Sequence, residues 1–494
     1  MREVDSGAAI KADLRALTRS GDTGANRAAV TARRIVYGGT AVYALLFVAI
    51  AAAHVESFHA GRADLGSMVQ AVWSTAHGHF LETTTLAGRE TTRLAGHVDP
   101  FLALLVPLWL IWSSPFMLLV VQALAVASGA LPVYWLARKH LGSDRAAAHF
   151  SFAYLLFPAT QFNALTISSG FHAVSVAVPL ILYAIWFLDE ERLVLFAVFA
   201  VLAVSTKEEI GAAVGCLGVW YAVRKGRRWL GAAIFVSGLA VSLIDFLVII
   251  PHFSPSGIDP FAGRYGHVGG TPTGILHKAL TDPVALMNAV ATGHKLLYLV
   301  LLLGPFLGLW ALEPLLFLGA VPDLAINLLS AKSDQTAIFY HWTAGIVPFV
   351  VAASVLGAAR LKRDRNSTSL CVLVGAALIC AVSPIYIGIA QGNVTAALPG
   401  NPVREAKVQA IGLIPAGVPV SASNEIATYV SARRYVYIFP VLGKAKWLIV
   451  DHKDKTYADR AGYRRTIRAI ETRPGWKVVY ASNAVDVLRK IAGS

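Results

Sequence analysis

Residues 56–99 read ESFHAGRADLGSMVQAVWSTAHGHFLETTTLAGRETTRLAGHVD, a polar stretch lodged between one apolar run and a long series of others. It gathers carboxylates, imidazoles and hydroxyls directly after the apolar run 35–53. A run of about 17 to 25 apolar residues is what a helix needs to cross the hydrocarbon core of a bilayer. The stretch therefore reads as the first outer-face loop of a many-helix membrane protein and as its candidate active-site loop.

Composition points the same way. The 494 residues are 56% hydrophobic and 15% charged, with a mean hydropathy of +0.59, whereas soluble domains carry about 25% charged residues. Apolar runs recur as far as residue 390, without the two-residue alternation of a membrane barrel strand. The net charge of +14 sits in short clusters between runs and in the C-terminal segment, so no nucleic acid is expected as a partner. Cys216, Cys371 and Cys380 all fall in apolar runs, which argues against a disulfide framework or a thiolate metal site.

Residues 1–34 lack bulky apolar periodicity and read as a disordered cytoplasmic tail ending in Arg33 and Arg34. Their polarity also argues against a cleavable signal peptide. The positive-inside rule then orders the crossings. Arg224, Lys225, Arg227 and Arg228 should be inside, as should Arg360, Lys362, Arg363 and Arg365. Six apolar segments separate the first outer loop from Arg224 (101–112, 116–137, 146–161, 173–188, 193–206 and 210–223), and six crossings would put Arg224 outside. The segment 101–112, shortest and fenced by Pro100 and Pro115, is the one expected not to cross.

The resulting expectation is a mainly α, polytopic transmembrane domain over residues 35–392 with about eleven crossings and one re-entrant or interfacial helix. Outer loops fall at 54–100, 251–294 and 331–341, and a soluble α/β domain at 393–494 lies outside. Strands are expected at 418–422, 435–439, 447–450 and 476–480, with helices at 425–433 and 458–471. No G-x-G-x-x-G or P-loop occurs, so no nucleotide site is assigned.

This topology brings Asp64, His97, Asp99, His172, Lys207, Glu208 and Glu209 to one side of the membrane. Ionisable groups at helix ends near a bilayer are costly unless they pair or line a polar cavity. Asp64 opens an amphipathic pattern and suits either the N-cap of a surface helix or a general base toward an acceptor hydroxyl. Gln70 is a candidate substrate contact, and His97 and His172 are candidates for phosphate or metal binding. Lys207 suits phosphate, and Glu208 suits holding that lysine or a divalent cation. In the second outer loop Arg264 ranks first as a phosphate clamp, beside His252, Tyr265 and His267. Lys332, Asp334, Tyr340 and His341 are further candidates.

The set Asp64-Leu65-Gly66, Gln70-Ala71-Val72-Trp73, His97, Phe157-Pro158, Phe171-His172 and Lys207-Glu208 resembles an uncharacterised prokaryotic membrane-protein family, domain of unknown function 2079. Pro419 to Asn424, Ser431 to Arg434, and Phe439-Pro440 extend the resemblance into the C-terminal segment. That family looks related to the GT-C glycosyltransferases, which take a sugar from a polyprenyl-phosphate carrier outside the cytoplasmic membrane. The resemblance implies Asp64 as the catalytic acid residue of the first outer loop, with a cell-envelope glycan, lipid or protein as acceptor and membrane lipid around the site. The loop carries no Asp-x-Asp, which leaves a divalent cation as an open expectation. Two other readings stand beside it: a transporter or lipid-linked-sugar flippase relaying through Lys207, Glu208, Asp245 and Asp323, and a noncatalytic assembly protein. Neither an inverted repeat nor a matched pair of broken helices favours the first of these.

Overall fold

The computed structural model describes residues 6–165, 170–257, 260–361, 363–381 and 395–491. A helix-rich body carries the apolar segments, and a small α/β domain closes the chain. The first helix runs from Ser6 to Glu56, so the stretch read as irregular before residue 35 is helical. Its alanines, lysine, arginines and leucines have high helix propensity, and no proline interrupts them.

Among the described residues, three helices are long and apolar enough to cross a membrane: Ala29–Glu56, Pro115–Leu141 and Arg228–Phe253. A bent pair, Pro283–Val290 with Gly293–Phe306, breaks at 65°, and six further apolar helices are shorter. The segment expected not to cross is two short pieces, Phe101–Leu104 and Val106–Ile111, with Pro107 starting the second. The segment 146–161 is divided at Pro158 into Asp144–Leu156 and Pro158–Ala164, since proline takes up the first position of a new helix. Residues 382–390 of the last expected span, Ser168, Ser169, Lys362, Val394 and Ser494 lie outside the described residues.

Ala173–Asp189, Ile210–Arg224 and Val347–Arg360 give the body its polarity. They hold 17, 15 and 14 residues, or about 21 to 26 Å at 1.5 Å per residue. Their near ends follow His172, Glu209 and the His341–Thr343 turn. Their far ends carry two ionic clusters. Glu313, fully buried, accepts from Arg224 Nη2 (2.8 Å) and Trp220 Nε1 (3.2 Å) and pairs with Arg360. Asp189 meets Lys139 (2.7 Å), His140 (2.8 Å) and Lys225 (3.3 Å). The basic clusters that the charge rule assigned to one side are thus on one face.

Ile210–Arg224 and Arg228–Ile244 pack backbone to backbone. A Cβ added at Gly218 would lie 2.2 Å from the Gly231 carbonyl, and one at Gly238 would lie 2.5 Å from the Gly211 carbonyl. Small residues at such a seam give helices van der Waals contact where lipid supplies no hydrophobic drive. The outward faces carry Val194, Val198, Val201, Trp229 and Val236, all exposed.

In the polar stretch 56–99, β1 (Glu82–Thr84) and β2 (Glu90–Thr92) form an antiparallel hairpin. The C-terminal domain is a five-stranded sheet of β3 (Val420–Ala422), β4 (Val436–Ile438), β5 (Trp447–Asp451), β6 (Trp476–Ser482) and β7 (Val485–Lys490), in the order β4-β3-β5-β7-β6. β3 pairs in parallel with β4 and β5, whereas β7 runs antiparallel to β5 and β6. The helix Arg460–Glu471 covers one face through Tyr463, Ile467 and Ile470. The other face packs against Pro402–Gly412 through Ala406 and Ala410. The expected helix 425–433 is one short turn, Asn424–Ala427, followed by the 3₁₀ segment Thr428–Val430.

Candidate functional site

Five segments distant in sequence, 62–101, 170–172, 205–209, 261–264 and 331–342, converge at the near ends of the three helices. Asp64 sits in the wide turn Arg62–Gly66 that leads into the helix Ser67–Ala76. Its side chain makes no capping bond, so the N-cap alternative is not the one adopted. It is 43% exposed, and its Oδ1 lies 3.8 Å from His172 Nε2. His172 stacks on His341 with ring centroids 3.5 Å apart. Gly170, at φ +81°, lets the chain pass Leu65: a Cβ there would come within 3.1 Å of its side chain.

Arg93 stands beside this turn. Its Nε and Nη2 donate to Asp99 (2.8 and 2.5 Å), and its Nη1 donates to the Ser67 hydroxyl (3.0 Å). That hydroxyl in turn donates to the Asp64 carbonyl (2.8 Å). His97 Nδ1 lies 3.0 Å from Glu208 Oε1, and the Val98 N–H donates to Glu208 Oε2 (3.0 Å). The Phe101 N–H donates to the Ser205 carbonyl (2.9 Å), fixing the broken helix against the same turn.

Lys207 Nζ pairs with Glu209 at 2.5 Å and lies 4.7 Å from the centre of the Trp342 ring. Arg264 lies 4.1 Å from Phe261 and 5.5 Å from Trp342, and Lys332 lies 5.7 Å from Trp342. The Ala331 N–H donates to the Arg264 carbonyl (2.9 Å), joining the segments around residues 264 and 331. One indole therefore has three cations around it, each within reach of a cation–π attraction.

A family model described as "Predicted membrane protein (DUF2079)" matches residues 54–485. The chain belongs to this family. No curated protein matches it. Among solved structures, ArnT from Cupriavidus metallidurans bound to undecaprenyl phosphate is similar at a TM-score of 0.54 and 13% identity, covering 92% of this chain and 98% of that one. The apo state of the same ArnT gives 0.49 and 14%, covering 92% and 99%. At such identity the likeness is one of fold: this DUF2079 chain has an ArnT-like fold.

The electrostatics of the DUF2079 cluster follow from burial opposed by pairing. Burial pushes the Asp64 carboxyl above its ordinary value, while Arg93, Lys332 and His97 pull against it. Glu208 is held low: burial alone would raise it, but His97 and Lys207 outweigh that. Lys207 is raised despite burial by Glu209 and Glu208. Burial drives His172 and His341 well below the usual imidazole range, with Arg93 and Lys207 acting on the first and His172 and Lys207 on the second. Neutral imidazoles can stack at 3.5 Å where two imidazolium ions would repel.

Of the residues singled out in the sequence, Asp64, His97, His172, Lys207, Glu208 and Arg264 are brought together. Gln70 is not. Its amide is fully buried and committed to Arg62, Thr84, Arg433 and Arg434. Arg62, buried beside it with no carboxylate among its hydrogen-bond acceptors, is drawn down to about 9 by burial and by Arg93. Sequence reasoning missed Arg93, Phe261 and Trp342; Arg93, four residues before His97, had proximity as its only signal. Asp323, assigned to a transport relay, is buried against Gly345 and interacts with Lys207 and Glu209.

For a cation, Asp64 and His172 offer two donors that face each other. Among the described residues, the trio of His, Cys, Asp and Glu ligands within mutual reach is His452, Glu471 and Asp486, in the C-terminal domain. There His452 Nε2 already pairs with Asp486 (2.5 Å) and lies 3.6 Å from Glu471.

Proposed function

We propose that this chain transfers a sugar from a polyprenyl-phosphate donor to an acceptor hydroxyl on the outer face of the membrane, with Asp64 as general base. The observation that carries it is a half-buried carboxylate, Asp64, 3.8 Å from His172 and within the field of Arg93, His97 and Lys332. In the reaction the acceptor oxygen bonds to the anomeric carbon as its proton passes to Asp64. The bond from that carbon to the phosphate oxygen breaks, and its electron pair leaves on the polyprenyl phosphate.

The leaving group needs countercharge more than a proton, because the polyprenyl phosphate monoester departs as a stable anion. Lys207 and Arg264 suit that task, Arg264 through a fork of donors and Lys207 as a point charge. With Nδ1 of His97 engaged by Glu208, Nε2 is the atom left to face a phosphate oxygen. Glu208 and Glu209 hold Lys207 charged in its buried position. The GT-C-like fold shared with ArnT, whose structure contains undecaprenyl phosphate, supports a lipid-phosphate donor.

The test is transfer of radiolabelled sugar from polyprenyl-phosphate donors in membranes holding the wild-type chain or Asp64→Asn at equal protein level. Wild-type transfer lost in the variant is the expected result. Equal transfer by both would remove Asp64 from the chemistry.

A further inference from the structure

The C-terminal domain reaches back to the loop that carries Asp64, where it holds the main chain before that residue and the Gln70 side chain after it. The Arg62 N–H donates to Asn424 Oδ1 (3.0 Å), and the Thr428 hydroxyl donates to the Ala60 carbonyl (2.8 Å). Just upstream the Tyr429 hydroxyl donates to the Val55 carbonyl (2.7 Å), and its ring packs on Phe58 at 4.5 Å. Downstream, Gln70 Nε2 donates to the Arg433 and Arg434 carbonyls (3.2 and 2.8 Å).

Glycine makes the approach close enough. A Cβ at Gly61 would meet Asn424 Nδ2 at 2.8 Å, and one at Gly66 would meet Ser431 Oγ at 2.9 Å and Thr428 Cα at 3.1 Å. These two glycines bracket the turn, which closes through a long Gly66 N–H to Gly61 carbonyl bond of 3.4 Å. A five-residue wide turn of this kind is weakly held by its own bonds. On its other side Leu65 packs against Gly170 of the membrane domain. The turn is therefore gripped from two sides, and Asp64, its side chain 43% exposed, stands between the grips.

We infer that the C-terminal domain is the clamp that fixes the Asp64 turn, with Asn424 and Thr428 as positioning residues; the catalytic part of this rests on Asp64 being the base. Simple docking of a soluble domain would be satisfied by side-chain contacts anywhere on the loop. Here the bonds hold the backbone at Ala60 and Arg62, whose placement sets where the Asp64 carboxylate stands relative to His172. A displacement of about 1 Å at a reacting group can cost about a hundredfold in rate.

The experiment uses the full chain in lipid nanodiscs and two variants, Asn424→Ala and the isosteric Thr428→Val. Hydrogen–deuterium exchange should speed up at the amides of residues 60–66 in both, with Val347–Arg360 and β5 unchanged. Unchanged exchange at 60–66 in both variants, or an equal rise through β5, would overturn the clamp. In the transfer assay kcat should fall about ten- to a hundredfold with the KM for lipid donor within about twofold. Asn424→Asp, which keeps the acceptor for the Arg62 N–H, should restore most of it. A raised KM with kcat intact would overturn the positioning role. Loss of the Asp64 assignment itself shows separately, as an active Asp64→Asn chain with the exchange result unaltered.

Discussion

His97 and Glu208, 111 positions apart, meet at 3.0 Å between Nδ1 and Oε1, and this bond ties the loop 56–99 to the turn that carries Lys207. Glu208 spends its other oxygen on the Val98 N–H, so one carboxylate fixes both the backbone and the ring of the loop. Its charge is the essential feature, since His97 and Lys207 hold it ionised against burial. Glu208→Gln keeps the shape and loses the charge. The variant should retain its fold and lose about ten- to a hundredfold in transfer, the scale of about 1.4 to 2.8 kcal/mol in a barrier. Kinetics on purified protein, with a melting curve as control, check this.

Asp64 supplies a pH signature. Its carboxyl is pushed up by burial, so it takes a proton at a pH where an ordinary aspartate would not. A base works only when deprotonated, hence kcat/KM should fall as pH drops through that raised value and level off above it. Arg93, drawn close by Asp99 and Ser67, opposes the rise. Arg93→Gln should move the acid limb to higher pH. A pH–rate profile of both chains, with the limb unmoved in the variant, would remove Arg93 from the electrostatics of the base.

Much of this was legible in the chain because membrane proteins obey few rules strictly. Apolar length marked 173–188, 193–206 and 210–223 nearly to their ends, and the charge rule with Pro100 and Pro115 singled out the broken helix. Parity then grouped Asp64, His97, His172, Lys207 and Glu208 without any knowledge of contacts. What escaped depends on partners rather than pattern. Nothing local tells a buried Gln70 bonded to Arg62 from a solvated amide. The hairpin β1–β2 is Glu and Thr throughout, which has no apolar alternation to read. β7 was missed because Asp486 and the terminal Arg489-Lys490 disguise a strand whose Val485, Val487 and Leu488 are buried.

The ionic cluster at the far face gives a stability prediction. Glu313 is fully buried and is the shared acceptor of Arg224, Arg360 and Trp220. Both arginine side chains are 41% exposed and can return to water once released. Glu313→Ala should therefore cost about 1 to 3 kcal/mol, below the value for a pair buried on both sides. Thermal unfolding in detergent, followed by tryptophan fluorescence, reads it as a lower midpoint. Transfer at permissive temperature should be little changed, since the cluster is at the opposite ends of the helices from Asp64.

His452 makes stability depend on pH in the C-terminal domain. Its bond to Asp486 raises it above the ordinary 6.5, with burial opposing, while Asp486 is lowered, burial opposing and His452 prevailing. A raised imidazole stabilises fully below its unfolded value and loses that contribution as pH climbs through the folded one. A lowered carboxylate stabilises above its unfolded value of 3.8 and loses that contribution as pH falls through its folded one. Between about pH 4 and 6.5 both contributions are present. Moving from pH 6 to pH 8.5 should thus remove about 1 kcal/mol, the worth of a partly exposed charge-assisted bond. His452→Gln should flatten that slope on the alkaline side. The measurement is the melting midpoint of the full chain across pH, and an equal slope in both chains would mean that His452 is not the group responsible.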